Sequence, residues 1–461
     1  MTRHLAITIT NRTTKEIKFT HQSYTDLIPS LHTTLTKAIP SELPIKKLKS
    51  YAIYNEDLNL IEIKFKKIIK PLSIRKFSKL IFYSKNVLNE LGPSTSSSSN
   101  YSKILQPKFE IFQSIADDGS ITFMAIFARK MSDWMSDLPD ELPVTSLTLP
   151  GTHNTCALYG WPIGTCHTRP LSRQLSDGIR FLDLRLSQSK GTLAVYHGIQ
   201  SQYITFQEVL KTLYEFLKSH SKETIVVSIK QEDFTKGFSD AVLGEILKNK
   251  DLWWLEKDLP STLSLARGKL ILFSRFGHDK NHGIHLPIWP NNSKDVWETE
   301  IKGAQVSVQD WYQIGSFLAI SKKFNLVCTS LCRSLHQKGS PPIRSRMSQI
   351  IPTIQINETE ITETTISSER TETNHSSPTW VINYLSASSL FFAFPNIVAR
   401  GFGFHKLGLG IEGINYRLAR WLTDRRRFGG HSFDLIGVVC LIDFYHSPKD
   451  SLVSLLVDCN F

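Results

Sequence analysis

The sequence predicts an α/β protein: a TIM-type (β/α)8 barrel, complete or irregular, preceded by a small β-rich, sandwich-like domain. Three observations carry this expectation. From about residue 145, apolar β-rich runs alternate with amphipathic helical stretches. There are eight such runs, the number that a parallel barrel requires. Before residue 130, by contrast, the chain offers a series of short β-rich runs. At 461 residues and 41% hydrophobic content it is long enough for two units and a sizeable core.

The first unit is expected over residues 1–130. "HLAITIT", "SYAIYN", "NLIEIKFKKII" and "KLIFYS" read as strands, and Leu60 to Phe65 alternates with period two. "GPSTSSSSNYS", Gly92 to Ser102, reads as a loop or linker, and "ITFMAIFA" as a further strand. "MSDWMSDLPDEL" reads as a short bridging helix.

The barrel is expected over residues 131–461. Its strands are read in "SLTLPG", "RFLDLRL", "LAVYHG", "TIVVSIK", "KLILFSRF", "QVSVQD", "WVINYLSA" and "LIGVVCLIDF". "TFQEVLKTLYEFLKSH" has apolar residues at three- and four-residue spacing, as does "GINYRLARWLTDRRRFGG", which ends in a Gly-Gly stop. Ser334 to Thr379, rich in Ser, Thr, Glu and Pro, is expected to be a largely disordered insertion between the sixth and seventh strands.

The net charge of +12 favours anionic partners. Residues 1–110 hold 18 Lys and Arg against 8 Asp and Glu, which suits a solvated basic surface or an anionic membrane face. No nucleic-acid-binding motif accompanies the charge, so no nucleic acid partner is expected. The N-terminus shows no apolar signal region and no apolar run approaches about 20 residues, so neither a signal peptide nor a transmembrane segment is read. Six cysteines without a CxxC pair suggest reduced, buried thiols. A cytoplasmic or peripheral-membrane location follows. The oligomeric state is left open.

In a parallel barrel the C-terminal strand ends form one mouth. The expected strand ends place His153 and Asn154 after the first strand and Asp183 and Arg185 on one face of the second. His197 closes the third, Lys230 and Glu232 the fourth, and Arg275 the fifth. Asp310 and Tyr312 end the sixth and Asp443 the eighth, while the seventh offers Asn383, Ser386 and Ser388. Taken singly, each is most simply a loop residue or a surface charge. Taken together, they converge two His, two Arg, a Lys and several carboxylates on one concave site. Two imidazoles suit paired base and acid work. An Arg supplies fixed donors for a phosphate that gains charge, and an Asp can hold one imidazole in the right tautomer. The pattern predicts attack by a neighbouring hydroxyl on a phosphodiester, giving a cyclic product.

In order and spacing, "LPGTHNT", "GIRFLDLRL", "VYHG" and "ETIVVSIKQE" resemble the X-region barrel of phosphatidylinositol-specific phospholipase C. "ILFSRF", "VSVQDWY" and "LIDFY" extend the resemblance towards the bacterial-type enzymes, over roughly residues 130–450. The resemblance implies His153 as general base, Asp443 as its orienter, His197 as general acid and Arg185 as the phosphate stabiliser. Lys230, Glu232, Arg275 and Asp310 would bind inositol hydroxyls, with Tyr312 near the ring. It implies a lipid of the phosphatidylinositol type, met at a membrane surface, with Trp161 on an interfacial loop.

Two subfamilies differ in what neutralises the phosphate. The calcium enzymes place carboxylates where this chain has Arg185 and Lys230, so no metal cofactor is expected. Calcium, with Asp183 and Asn154 among its ligands, is the alternative. Asn154 stands where bacterial-type enzymes have an Asp that supports the Arg and the acid His. That departure keeps a catalytically weak or inactive lipid-binding barrel in view. A metal-dependent glycerophosphodiester phosphodiesterase is the other rival, opposed by the cations at the strand ends.

Overall fold

The computed structural model describes residues 128–461 except 161, 190, 278–281, 287, 336–378, 390–391, 405–408 and 430–433, together with seven strands before residue 128. Those strands are β1 (Ile7–Asn11), β2 (Lys18–His21), β3 (Ser50–Tyr54), β4 (Leu60–Lys64), β5 (Phe77–Tyr83), β6 (Pro107–Ile115) and β7 (Ile121–Phe127). They form a four-stranded sheet in the order β1-β7-β6-β5 and a three-stranded sheet β2-β3-β4. Phe112, Met124 and Ile126 of the first sheet are buried in the same apolar cluster as the barrel core. The expected linker at Gly92 to Ser102 lies outside the described residues.

The remaining strands are β8 (Leu149–Thr152), β9 (Phe181–Ser189), β10 (Thr192–His197), β11 (Gln200–Thr205), β12 (Ile225–Gln231), β13 (Trp253–Trp254), β14 (Leu270–Arg275), β15 (Ile284–His285), β16 (Trp297–Ile301), β17 (Ala304–Gln309), β18 (Thr379–Tyr384), β19 (Gly401–Phe404), β20 (Leu409–Glu412) and β21 (Val438–Ile442). The described helices of this part are α1 (Leu171–Ser176), α2 (Phe206–Ser219), α3 (Phe238–Leu247), α4 (Leu263–Ala266), α5 (Ile320–Leu335), α6 (Pro395–Arg400), α7 (Ile414–Gly429) and α8 (Ser451–Val457).

The curled sheet runs β14-β12-β9-β8-β21-β18-β17, with every neighbour parallel. β16 flanks β17 antiparallel, and β13 and β15 pair with β14. Among the described residues no strand pair closes the ring between β14 and β17, so the TIM-type barrel is irregular and open there.

One expected stave is not a stave. The run "LAVYHG" is β10, which returns antiparallel along β9 and then pairs with β11. The reason is local. β9 overshoots the sheet, and Gly198, at φ 58°, lets the chain reverse within the two residues between His197 and Gln200. The return carries His197 back to the mouth from outside, a route that a barrel strand would not give.

Parallel strands covered on both faces should be apolar throughout, and Ile225–Ile229 and Val438–Ile442 are buried at every residue. Gly151 of "LPGTH" is required by close approach, since a Cβ there would lie 2.9 Å from Phe181 Cβ. α2 begins with a capping box between Thr205 and Glu208 and buries Phe206, Val209, Leu210, Leu213, Phe216 and Leu217 on one face. "MSDWMSDLPDEL" forms a 3-10 helix over Met131–Asp137. α5 ends at Leu335 and β18 begins at Thr379, so the expected insertion falls almost wholly outside the described residues.

A fully buried ion pair fastens the end of the barrel opposite the mouth. Arg180 Nε donates to Glu223 Oε2 at 2.7 Å, and its other nitrogens donate to the carbonyls of Leu175, Ile179 and Ser132. Glu223 Oε1 accepts from the Met135 amide at 2.9 Å. Removing one partner strands the other charge, so Glu223→Gln should cost about 3–5 kcal/mol. The double variant Arg180→Met/Glu223→Leu should recover much of that loss. Thermal melts of the three proteins decide this, and equal melting temperatures for wild type and Glu223→Gln would refute it.

Candidate active site

The site is built at the C-terminal ends of the parallel strands. β8 ends in Thr152, and the next residue, His153, leans on Asp443, the residue following β21. His153 Nδ1 lies 2.9 Å from Asp443 Oδ1. That partner places the ring proton on Nδ1 and leaves Nε2 as the free lone pair. The Nε2 is approached by Arg185 Nη2 at 3.1 Å and by Asn154 Nδ2 at 3.2 Å. His153 is otherwise locked by its own carbonyl, which accepts from His167 Nε2 at 2.8 Å. Asn415 Nδ2 donates to the Asp443 carbonyl at 2.8 Å and steadies the other half of the pair.

His197 faces His153 across the mouth, with ring centroids 6.4 Å apart and planes at 88°. Its Nδ1 donates to the Gly164 carbonyl at 2.9 Å, which leaves Nε2 without that proton in the neutral ring. Burial holds the His197 pKa below its usual value, and the charges of His153 and Arg185 add to the effect against the Gly164 hydrogen bond.

Asp183 on β9 is fully buried and organises the cations. Its Oδ2 accepts from the Asn154 amide at 3.1 Å and from Arg185 Nε at 3.4 Å. Its Oδ1 lies 3.5 Å from Arg275 Nη1. Burial would raise this carboxyl, but Arg185 and Arg275 outweigh it and hold the pKa down at about 2. Arg185 Nη1 also donates to Glu232 Oε1 at 3.2 Å, and Lys230 Nζ reaches the same oxygen at 3.2 Å. Burial and the neighbouring Arg185 depress the Lys230 ammonium in spite of Glu232.

Arg275 stacks over Trp289, its Cζ 3.6 Å from the ring centroid, and donates to the Tyr384 hydroxyl at 2.9 Å. Trp289 Nε1 donates to Asp310 Oδ2 at 2.9 Å. Tyr312 stands further out, its hydroxyl donating to Asn291 Oδ1. The structure thus brings His153, Asn154, Asp183, Arg185, His197, Lys230, Glu232, Arg275 and Asp443 into one connected cluster. Asp310 joins it through Trp289, while the bonds of Tyr312 run to Asn291 and Asn292.

Three corrections follow. Asn383 does not serve the mouth: its Nδ2 donates to the Val327 carbonyl of α5, while Trp380, Ile382 and Tyr384 take the inner face of β18. Asn154 leaves Arg185 with carboxylate partners, because Asp183 and Glu232 supply them. Trp289 and Tyr384 were not singled out from sequence. Tyr384 was within reach, since the period-two parity of β18 selects it over Asn383. Trp161 lies outside the described residues.

A calcium ion takes six to eight oxygen ligands. Asp183 offers two oxygens already facing Arg185 and Arg275, with Lys230 nearby, so the residues present do not fit calcium. An Asp whose pKa is depressed on folding stabilises the native state above its unfolded pKa and loses that contribution as pH falls. Stability should therefore drop between about pH 4 and pH 2, and Asp183→Asn should flatten this limb. Thermal melts across that range test it, and an unchanged slope in Asp183→Asn contradicts it.

Residues 141–276 match the family model of the phosphatidylinositol-specific phospholipase C X domain. A 1-phosphatidylinositol phosphodiesterase of Listeria monocytogenes is 34% identical over 155 residues, which cover 31% of this chain and 48% of the relative. A protein of the same name from Staphylococcus aureus is 24% identical over 210 residues, covering 40% of this chain and 66% of the relative. The chain thus spans about half to two thirds of the length of these relatives. A solved Staphylococcus aureus phosphatidylinositol-specific phospholipase C superposes with a TM-score of 0.53 at 21% identity, over 72% of this chain and 98% of that one, and shares the fold. "LPGTHNT" and "ETIVVSIKQE" both lie inside the segment, residues 141–276, that is similar to the phosphatidylinositol-specific phospholipase C X domain.

Proposed function

We propose that the protein cleaves phosphatidylinositol-type lipids to diacylglycerol and inositol 1,2-cyclic phosphate, without a metal. The observation that carries this reading is the His153–Asp443 pair facing His197 across the mouth, with Arg185 on the Nε2 of His153. His153 Nε2 takes the proton of the inositol 2-hydroxyl, and that oxygen attacks phosphorus. The bond from phosphorus to the glycerol oxygen breaks, and protonated His197 gives a proton to the departing oxygen. Asp443 stabilises the imidazolium that forms on His153. An incoming phosphate draws Arg185 onto its own oxygens, which uncovers Nε2 as it places the donor. Asn154 Nδ2 must give way as well before Nε2 can reach the hydroxyl proton.

Lys230, Glu232, Arg275, Asp310 and Tyr312 are assigned to the inositol hydroxyls. The head-group class admits free, glycosylated or phosphorylated inositol. The cations around Asp183 oppose a carboxylate-built metal cluster of the glycerophosphodiesterase kind.

The lipid is met at a membrane surface. Ile199, Phe234, Ile288, Leu318 and Phe392 lie on segments that follow strand C-termini, and each is more than 60% exposed. Large apolar side chains gathered around one mouth mark an interaction face. No helix among the described residues is long and apolar enough to cross a membrane. Burying two such side chains contributes about 3–6 kcal/mol, so Ile199→Ser/Phe234→Ser should weaken partition into phosphatidylinositol vesicles about tenfold or more. Sedimentation with vesicles measures this, and unchanged partition would remove the mouth from the contact face.

The reaction is tested with phosphatidylinositol vesicles in excess calcium chelator, following the water-soluble product by phosphorus NMR. Inositol 1,2-cyclic phosphate should form first. His153→Ala should lower its rate by about a hundredfold to ten-thousandfold. Product requiring added calcium overturns the metal-free step. Binding without any product, with or without calcium, shifts the reading to a lipid-binding barrel.

A further inference from the structure

Cys166 takes no part in the reaction above, yet it sits against the base. It lies on the loop between β8 and α1, fully buried, and its backbone is held from both sides. The Cys166 amide donates to the Ala157 carbonyl at 2.9 Å, and its carbonyl accepts from the Phe444 amide at 2.8 Å. The second bond ties it to the residue after Asp443. The ligand atoms of His153, Cys166 and Asp443 all lie within 4.8 Å of one another. His153 and Cys166 both lie on the segment between β8 and α1, and Asp443 follows β21; the closure of β8 on β21 and the Phe444–Cys166 bond bring them together.

We propose that His153, Cys166 and Asp443 form an inhibitory site for a thiophilic divalent cation, with zinc as the best fit. The donor set decides the class of ion. One nitrogen, one sulfur and one carboxylate oxygen match zinc and its soft neighbours, while calcium and magnesium require several oxygens. Tetrahedral zinc with bonds of about 2.0–2.3 Å sets its ligand atoms roughly 3.5 Å apart, so a small rotation of Cys166 brings the three into range. Water fills the fourth position. His153, with 12% side-chain exposure against 2% for Asp443, is the way in from the mouth. Arg185 stands near, but its charge is opposed by Asp183 and Glu232.

Binding releases the thiol proton of Cys166 to solvent, while the single ring proton of neutral His153 leaves Nδ1 for Nε2, so the imidazole stays neutral and Nε2 has no lone pair left to take a proton. The His153–Asp443 hydrogen bond is then replaced by two metal bonds. The imidazole loses the carboxylate that stabilises its protonated form, and the base stops working. The inhibition rests on the proposed reaction; the binding does not, and the two are measured separately.

The experiment titrates the full chain with Co2+ as a spectroscopic probe and then with Zn2+ as competitor. A thiolate-to-cobalt charge-transfer band should grow to one equivalent and vanish on adding Zn2+. Cys166→Ser and Cys166→Ala should lose it, while Cys328→Ala/Cys332→Ala should keep it. Melting curves confirm that the variants fold, and His153→Ala serves as a second lesion in the same site should both Cys166 variants unfold. In the vesicle assay, Zn2+ should inhibit reversibly to chelator, with the half-inhibiting concentration at least tenfold higher in Cys166→Ser than in wild type. A band that persists without Cys166 and His153, or equal zinc inhibition in wild type and Cys166→Ser, overturns the proposal. A band that behaves as expected in a protein with no hydrolytic activity sustains the site and removes the reaction.

Discussion

A single buried carboxylate organises the mouth. Asp183 has no side-chain exposure, yet it stays ionised because Arg185 and Arg275 flank it and the Asn154 amide donates to it. Every charged group above it depends on this arrangement. Arg185 is aimed at His153 because its other nitrogens are taken by Asp183 and Glu232. Arg275 is pressed flat on Trp289, which in turn fixes Asp310. Three cations crowd one pocket only because carboxylates stand between them. An anionic phosphate entering there meets cations already gathered for it, and Arg185 has to turn from His153 Nε2 onto its oxygens.

The two ends of the barrel divide the work. Opposite the mouth, Arg180 and Glu223 form a closed, fully buried pair saturated by backbone carbonyls and an amide, which leaves nothing to offer a ligand. At the mouth, the corresponding charges keep spare donors and acceptors: Asp183 Oδ1 accepts no hydrogen bond and Asn154 Oδ1 is buried without a partner. Unsatisfied buried polar atoms are costly and are tolerated where a ligand is to arrive. The same division separates residues whose loss should unfold the protein from those whose loss should silence it.

Much of this was legible in the sequence because parallel strands leave a plain trace. "TIVVSIK" and "LIGVVCLIDF" are apolar at successive residues, as a strand covered on both faces must be, and the charged residue at each C-terminal end falls at the mouth. "LAVYHG" misled, though its clue was present: only Leu193 and Val195 are buried, an alternation that belongs to a one-faced hairpin. Polarity points to Asn383 on the seventh strand, whereas the structure turns Tyr384 to the mouth and Asn383 to the Val327 carbonyl. Trp289 lies in a segment without periodicity, so nothing in the chain announced it. Lys323 reads as a surface lysine in "SKKF" but is fully buried, donating to Gln309 Oε1 and the Trp311 carbonyl, with burial lowering its pKa to about 7. Pattern locates elements; the partner that turns a polar side chain inward comes from another part of the chain.

In the proposed reaction a guanidinium, held by Asp183, does the electrostatic work at phosphorus. The most direct measurement is the rate of cyclic phosphate formation by Arg185→Lys, with and without added calcium. Lysine keeps the charge but loses the planar fork that reaches Asp183, Glu232 and His153 together. The expected result is a loss of about a hundredfold or more that calcium does not restore. A wild-type rate in Arg185→Lys, or a rate that calcium rescues, would contradict it.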